Sequence, residues 1–431
     1  MRILLFALSA AALVAQNFDI ALIGDTPYGA AAEPKFEKVI ADINRQAVEF
    51  TIHIGDTKSG STRCDNSHYT KVLNWFNSFD TGLIYSPGDN EWADCLRTNN
   101  GAYDPLDRLA LVRKTYFQTN QSLGRRPVTL IRQSEDPAYS LYVENAMLVK
   151  GPVVFGTIHA IGSNNNLQYK LVQGVANTFY DNDKEFIARN DANIAWLKKI
   201  FATAKQNKSL GILIGTQANI FETFLDTGTG STRSGFEEFV KVLRSETNAF
   251  NGEVVLVSGD SHYMRVDKPL TNMYPACTSA TGDCKPFDAA LDARGDRVLN
   301  FTRVEVPGSA DVHWALCHVR PNARNLFQFE FMIVADRPAG AAVTAAISGP
   351  SIVETNSPQL GLDASTSSTP NTGGLTYSWA SAAGYPQAAI LNANTATPTI
   401  QMSTRGVHQF TVTVTDRTGA ANSATVTVRY I

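Results

Sequence analysis

The sequence predicts an α/β layered domain followed by an all-β, immunoglobulin-like sandwich, and three observations carry that expectation. From Phe18 to about Ala335, short apolar runs alternate with segments of helical period, as expected for strands layered with helices. Near Arg337 the composition turns small and polar in ADRPAGAAVTAAISGPS, which suits a linker. Beyond it the chain is rich in Thr, Ser and Val, alternates strictly in FTVTVTD and ATVTVRY, and shows no helical period, the pattern of short sandwich strands. The boundaries that follow are a leader at 1–15, an α/β domain at 18–335, a linker at 336–348 and a β-sandwich at 349–431. A length of 431 residues agrees with two domains, because single cores stop growing at roughly 250–300 residues.

The elements follow in order. MRILLFALSAAALVA sets one Arg before an apolar run that ends in small residues, the layout of a secretory signal peptide. The run is too short to span a bilayer, and no later stretch is long and apolar enough to do so. The mature protein is therefore expected to be secreted, periplasmic or extracellular. FDIALIG is the first strand, followed by a helix with Phe36, Val39, Ile40 and Ile43 on one face. VEFTIHIGD and GLIYSPGD are strands separated by a helix with Val72, Leu73, Trp75 and Phe76. A polar insertion with a helix near Leu106 to Phe117 leads to strands between Met147 and Ile161 and a helix with Ile194, Leu197, Ile200 and Phe201. SLGILIGTQ, a helix with Phe236, Phe239, Val240 and Leu243, and EVVLVSGD complete the alternation. VLNFTRVEV, DVHWALCHV and FQFEFMIV have no helix between them and predict an antiparallel meander.

Composition narrows the function. Lys and Arg number 37 against 40 Asp and Glu, which argues against a broadly basic face for nucleic acid. At 44% hydrophobic and 18% charged, the chain has enough apolar surface to offset its entropy and is not disordered. Export permits disulfides, but five Cys cannot all pair within one chain. Cys277 and Cys284 bracket a turn-rich hexapeptide, Cys64 and Cys95 each follow a loop assigned below to the active site, and Cys317 in an alternating strand is expected to be a buried free thiol.

The chemistry lies at strand ends. IALIGD ends on Asp25, TIHIGD on Asp56, IYSPGD on Asp89 and VVLVSGD on Asp260. Ligands of open α/β sheets bind beyond the carboxyl ends of strands, so these residues are expected to converge. Asp is also a common turn residue and helix cap, yet four such endings in one domain exceed what turns require. Clustered carboxylates repel unless cations neutralise them, and two divalent ions would balance four charges. Such a pair suits phosphate ester hydrolysis. His262, in SGDSH, is the imidazole placed to join them.

This order of motifs, GD, GD, GDNE, a polar residue and GDSH, resembles the calcineurin-like metallophosphoesterases over roughly Phe18 to Val334. The resemblance implies a two-sheet sandwich flanked by helices. It implies Asp25 as the first-motif Asp, Asp56 as the bridging Asp and His262 as the last His. The motifs also depart from the family. Pro27 stands where the first motif has His, and Ser59 ends the second. Asp89 replaces the metal-binding Asn, Asn90 the His that assists the leaving group, Gln217 the isolated His and Asp260 the first His of the last motif. The implied ligand sets are Asp25, Asp56 and His262 for one ion, and Asp56, Asp89, Asp260 and Gln217 for the other. Oxygen-rich sets favour Mn²⁺ or Mg²⁺, with Ca²⁺ or Fe²⁺ as alternatives, over Zn²⁺.

Asn90, His262 and Asp56 are the candidate catalytic residues, and Lys58, Arg63 and Asn90 the candidate substrate donors, with Tyr28, Glu91 and Trp92 close by. His53 is read as a core residue, Arg265 and Asp267 as an ion pair, and the RGD at Arg294 to Asp296 as a turn. LDASTSSTP, LTYSW with Trp379 and FTVTVTD with Asp416 resemble PKD domains, roughly over Gly349 to Ile431. That implies contact with a cell surface or polymer. The expectation is a secreted metal-dependent hydrolase of phosphate mono- or diesters. Its rival is a catalytically degenerate metal- or phosphate-binding surface protein.

Overall fold

The computed structural model describes residues 16–167, 177–221, 234–262, 264–272, 297–309, 312–334, 343–369, 374–417 and 419–431, with the backbone of two short strands at 171–172 and 175–176. The leader, Cys277, Cys284 and the RGD segment lie outside the described residues. The chain divides into two units, Met1–Met332 and Ile333–Ile431.

In the first unit the chain runs β1 (Phe18–Ile23), α1 (Glu33–Arg45), β2 (Val48–His53), α2 (Asn66–Phe76), β3 (Gly82–Tyr85), α3 (Pro105–Tyr116), β4 (Ile131–Arg132), β5 (Ala146–Lys150) and β6 (Val153–Thr157). It continues through α4 (Gly162–Asn165), a single short turn whose backbone is left-handed rather than α-helical at Ser163 and Asn164, then β7 (Leu171–Val172), β8 (Val175–Ala176), α5 (Asn182–Gln206), β9 (Gly211–Gly215), α6 (Glu237–Asn248) and β10 (Glu253–Ser258). The last strands of the unit are β11 (Arg265–Asp267), β12 (Phe301–Glu305), β13 (Trp314–Val319) and β14 (Phe327–Met332). A five-stranded sheet has the order β14-β13-β1-β2-β3, and a seven-stranded sheet the order β11-β12-β10-β9-β6-β5-β4. The strands β1, β2 and β3 run parallel in the first, as do β6, β9, β10 and β12 in the second.

Side-chain alternation explains the layering. Ile20, Leu22, Phe50 and Ile52 of the five-stranded sheet share one core with Phe155, Leu213, Val255 and Val304 of the seven-stranded sheet. The alternate residues Ile212, Ile214, Val254 and Leu256 point the other way, onto Leu197, Ile200 and Phe201 of α5 and Phe239 and Leu243 of α6. Central strands buried on both faces have to read as continuous apolar runs, as GILIG and EVVLVS do. Against the other face of the five-stranded sheet, Phe36 of α1 and Phe76 of α2 meet the ring of His53.

One expectation is corrected. The last three strands of this unit do not form a single antiparallel meander. β12 lies parallel to β10 in the seven-stranded sheet, whereas β13 and β14 pair antiparallel in the five-stranded sheet. A parallel return needs a long crossover but not a helix, so the missing helical period does not dictate an antiparallel pair.

The second unit is all β. Its strands are β15 (Ile352–Thr355), β16 (Gln359–Gly361), β17 (Thr376–Ser381), β18 (Ala389–Leu391), β19 (Thr399–Gln401), β20 (Gly406–Thr415) and β21 (Ala421–Tyr430). Sheets of order β15-β21-β20-β17 and β16-β19-β18 enclose Trp379, Ile400, Phe410, Val412, Val414, Val426 and Val428. Trp379 is the core residue expected of a sandwich strand, and its Nε1 donates to Thr395 O at 3.1 Å. Val343, within the stretch read as linker, is buried in the same core.

Cys64 and Cys95 form a disulfide, and Cys317 is a buried free thiol. Among the described residues no helix is long and apolar enough to cross a membrane.

His53 supplies a test of this core. Burial lowers its imidazole pKa from 6.5 to about 3. Between those values the unfolded chain binds a proton that the folded chain does not, so this contribution to stability is present above the ordinary value and lost as pH falls. Thermal melts of wild type and His53→Phe between about pH 7 and about pH 5 check it. Wild type is expected to lose more stability over that interval than the variant.

Candidate metal centre

The parallel strands bring four aspartates to one place. β1 leads into Gly24 and Asp25, β2 into Gly55 and Asp56, β3 into Gly88 and Asp89, and β10 into Gly259 and Asp260. Carboxylate oxygens of Asp56, Asp89 and Asp260 lie within 4.8 Å of one another. Asp25 joins through its Oδ2, which accepts the Asp260 N–H at 3.0 Å. Its Oδ1 stands 3.8 Å from His262 Nε2. Three of the aspartates turn the chain sharply, with φ of 51° at Asp25, 55° at Asp56 and 72° at Asp260, and His262 follows at 68°. Left-handed backbone is costly for residues bearing a Cβ and least so for Asp and Asn. Close approach adds a second demand. A Cβ at Gly88 would overlap Asp56 Oδ1, and one at Gly259 would overlap Asp25 Oδ2.

Glu91 holds two of the loops in register. It is fully buried and accepts the backbone N–H of Asp56 at 3.1 Å and of Gly88 at 2.7 Å, together with the N–H of Thr57 and its hydroxyl. This carboxylate therefore ties the Asp56 loop to the Asp89 loop, which the Cys64–Cys95 disulfide also joins. Its neighbour Trp92 is buried too, donating Nε1–H to His159 Nε2 at 3.2 Å. Proximity in sequence places both beside the substrate. That expectation is corrected, because their polar atoms are spent on the scaffold.

Asp56 collects three donors on one oxygen. Its Oδ2 accepts from Tyr28 OH at 2.9 Å, Asn90 Nδ2 at 2.7 Å and Gln217 Nε2 at 3.2 Å. The Gln217 amide has a fixed sense, since its Oε1 accepts the Gly162 N–H at 2.5 Å. Gln217 thus offers the cluster a donor rather than the oxygen expected of a metal ligand. In this arrangement Gln217 orients Asp56. Ser163, which sequence reasoning missed, places its Oγ 2.5 Å from Asp89 Oδ2.

Two buried oxygens of the cluster have no hydrogen-bond partner, Asp25 Oδ1 and Asp89 Oδ1. A buried carboxylate oxygen without a donor is a costly defect. The pKa values register the same stress. Burial first, and then the charge of Asp260, pushes the Asp25 carboxyl well above its usual range. Burial followed by Asp89 and Glu91 does the same at Asp56. Unpartnered hard oxygens at the centre of a carboxylate cluster are the donor set of a hard divalent cation, so the residues fit such an ion. His262 is half-buried, its pKa lowered by burial, and its ring meets the edge of Tyr28 at 5.1 Å.

The remaining candidates separate. Lys58 is buried, donates to Ser59 O at 3.2 Å, and has its pKa lowered by burial against the opposing pull of Asp94, Glu91 and Asp56. Arg63 is exposed and pairs with Asp65 at 3.0 Å beside the Tyr103 ring. Arg265 and Asp267 do not pair with each other. Arg265 binds Glu305 at 2.7 Å and Arg303 binds Asp267 at 2.5 Å.

A cation-dependent stability follows with a defined sign. Carboxyls raised in the folded chain hold protons that the unfolded chain has released, so without a cation their contribution is lost as pH rises through the raised values. A divalent ion that binds only the folded chain replaces it. The thermal shift produced by Mn²⁺ over a chelator control is expected to grow from about pH 5 to about pH 8, reaching several degrees. In Asp56→Asn the shift should vanish while the chelated protein melts no lower than wild type. An unchanged shift in the variant would contradict the assignment.

Comparison with known proteins reaches the second unit. Residues 349–429 match a family model of the PKD domain. Among solved structures, the PKD domain from the KIAA 1837 protein is similar at 24% identity, covering 22% of this chain and 90% of that one, with a TM-score of 0.18. No curated protein matches the chain. The chain thus carries a C-terminal PKD-like domain behind a mixed α/β unit.

Proposed function

We propose that the chain is an exported, metal-dependent phosphoesterase of calcineurin-like type, acting on phosphate mono- or diesters. The observation that carries the reading is the pair of buried, unpartnered oxygens, Asp25 Oδ1 and Asp89 Oδ1, where Asp56, Asp89 and Asp260 cluster and Asp25 accepts the Asp260 N–H. Asp25, Asp56 and His262 would hold one hard ion, and Asp56, Asp89 and Asp260 a second, Mn²⁺ or Mg²⁺ before Ca²⁺ or Fe²⁺. When bound, such ions neutralise the carboxylates and stabilise charge on a reacting phosphoryl group. The chain's own groups do the rest. Asn90 Nδ2 donates to both Asp56 Oδ2 and Tyr28 OH, and Tyr28 OH donates to the same Asp56 oxygen, so the two residues orient Asp56. His262, its side chain 35% exposed and its Nε2 3.8 Å from Asp25 Oδ1, is the imidazole that would complete the first donor set. The PKD-like domain would hold the protein at a cell surface or polymer.

A chromogenic phosphomonoester and phosphodiester incubated with Mn²⁺ or Mg²⁺ test the reading. Turnover is expected with metal, and Asp56→Ala should lower kcat/KM by on the order of a hundredfold or more. Turnover that persists in Asp56→Ala would refute it. One observation favours a second reading, a non-catalytic cation- or phosphate-binding protein. Both amides at the cluster, Asn90 and Gln217, turn N–H groups toward Asp56, which leaves His262 as the single imidazole of the proposed set. Metal retained without turnover would select that alternative.

A further inference from the structure

We infer that Ser163 is a positioning residue of the metal centre, orienting Asp89 for a cation from a left-handed turn built for that purpose. The inference rests on the metal-site reading above and extends it to a residue outside every motif of the sequence.

The turn is unusual. Ser163, Asn164, Asn165 and Asn166 have φ of 51°, 54°, 53° and 65° in succession. Left-handed residues normally occur singly, at roughly 1–2 kcal/mol each for residues with a Cβ. A run of four persists only where its surroundings over-determine it. Those surroundings are present. Arg189, itself buried, donates to Asn165 Oδ1 at 2.5 Å and to Asn165 O at 3.0 Å. Asn164 Oδ1 accepts the Gly235 N–H at 2.8 Å, and Asn165 Nδ2 donates to Gly235 O at 3.2 Å. Asn182 Nδ2 donates to Asn166 Oδ1 at 2.7 Å. The three asparagines are thus locked into the protein behind the turn.

Of the four turn residues, Ser163 is the one that faces the cluster. Its hydroxyl donates to Asp89 Oδ2 at 2.5 Å, and Asp94 Oδ1 lies 3.3 Å away. With Oδ2 so held, the other oxygen of Asp89 is the one left buried without a partner. A hydrogen bond to one oxygen of a ligating carboxylate fixes its rotation and directs the free oxygen at the ion. The strain of the turn is spent on setting that single hydroxyl.

Two substitutions separate the hydroxyl from the strain. Ser163→Ala removes the hydroxyl and keeps a Cβ in left-handed backbone, whereas Ser163→Gly removes both the hydroxyl and the strain. Mn²⁺ affinity is measured by calorimetric titration and thermal stability in chelator, with Ser163→Asn as the conservative rescue, since Asn tolerates this backbone and can donate an N–H. Both deletions are expected to weaken Mn²⁺ about tenfold, with the chelated Gly variant melting no lower than wild type and the Asn variant recovering part of the affinity. Wild-type affinity within twofold in both the Ala and Gly variants would overturn the inference while leaving the metal site standing. Wild-type protein that binds neither Mn²⁺ nor Mg²⁺ would overturn the metal-site reading and this inference with it.

Discussion

Carboxylates buried side by side face two penalties at once, loss of hydration and mutual repulsion, and in this protein most of the surrounding structure answers one or the other. Each buried charge costs several kcal/mol unless donors or cations compensate it. Donors are supplied where the fold can supply them. Three converge on one oxygen of Asp56, one backbone N–H serves Asp25, and one hydroxyl serves Asp89. Asp25 Oδ1 and Asp89 Oδ1 remain buried without a partner.

Rigidity reaches the cluster from a second buried charge system. Arg113 of α3 forms a paired contact with Glu144 at 3.0 and 2.6 Å. Burial alone would raise the Glu144 pKa, but Arg113 and His159 hold it well below the usual range. Because His159 Nε2 accepts from Trp92, its Nδ1 carries the proton donated to Glu144 at 2.8 Å. The chain of contacts therefore runs from α3 through Glu144 and His159 to Trp92, adjacent to Glu91 and the Asp89 loop. His159 O also receives Arg189 at 3.0 Å, which joins the same system to the left-handed turn. A continuous line of contacts thereby connects α3 to the loop that carries Asp89.

The fold is legible where burial imposes period. GILIG and EVVLVS announce central strands, and Phe36, Val39, Ile40 and Ile43 announce the buried face of α1. The four aspartates are legible for the same reason, since a strand end followed by Gly-Asp fixes where a carboxylate emerges. The long return from β10 to β12 is not, because nothing in local period says which sheet a strand joins. Glu91 is misread through proximity. Its role depends on backbone N–H groups in two loops, which carry no side-chain signature. Ser163 is invisible for a related reason. The string GSNNN looks like any polar loop until backbone angles show that four successive residues are left-handed.

Those backbone angles bear on how the site would change over generations. Asp25, Asp56 and Asp260 occupy conformations that Gly adopts freely and Asn accepts readily. Every Asp codon is one base change from a Gly codon and one from an Asn codon. Either replacement would also remove a buried charge, so drift toward them gains stability. A chain released from its chemistry would have an easy downhill path away from these aspartates.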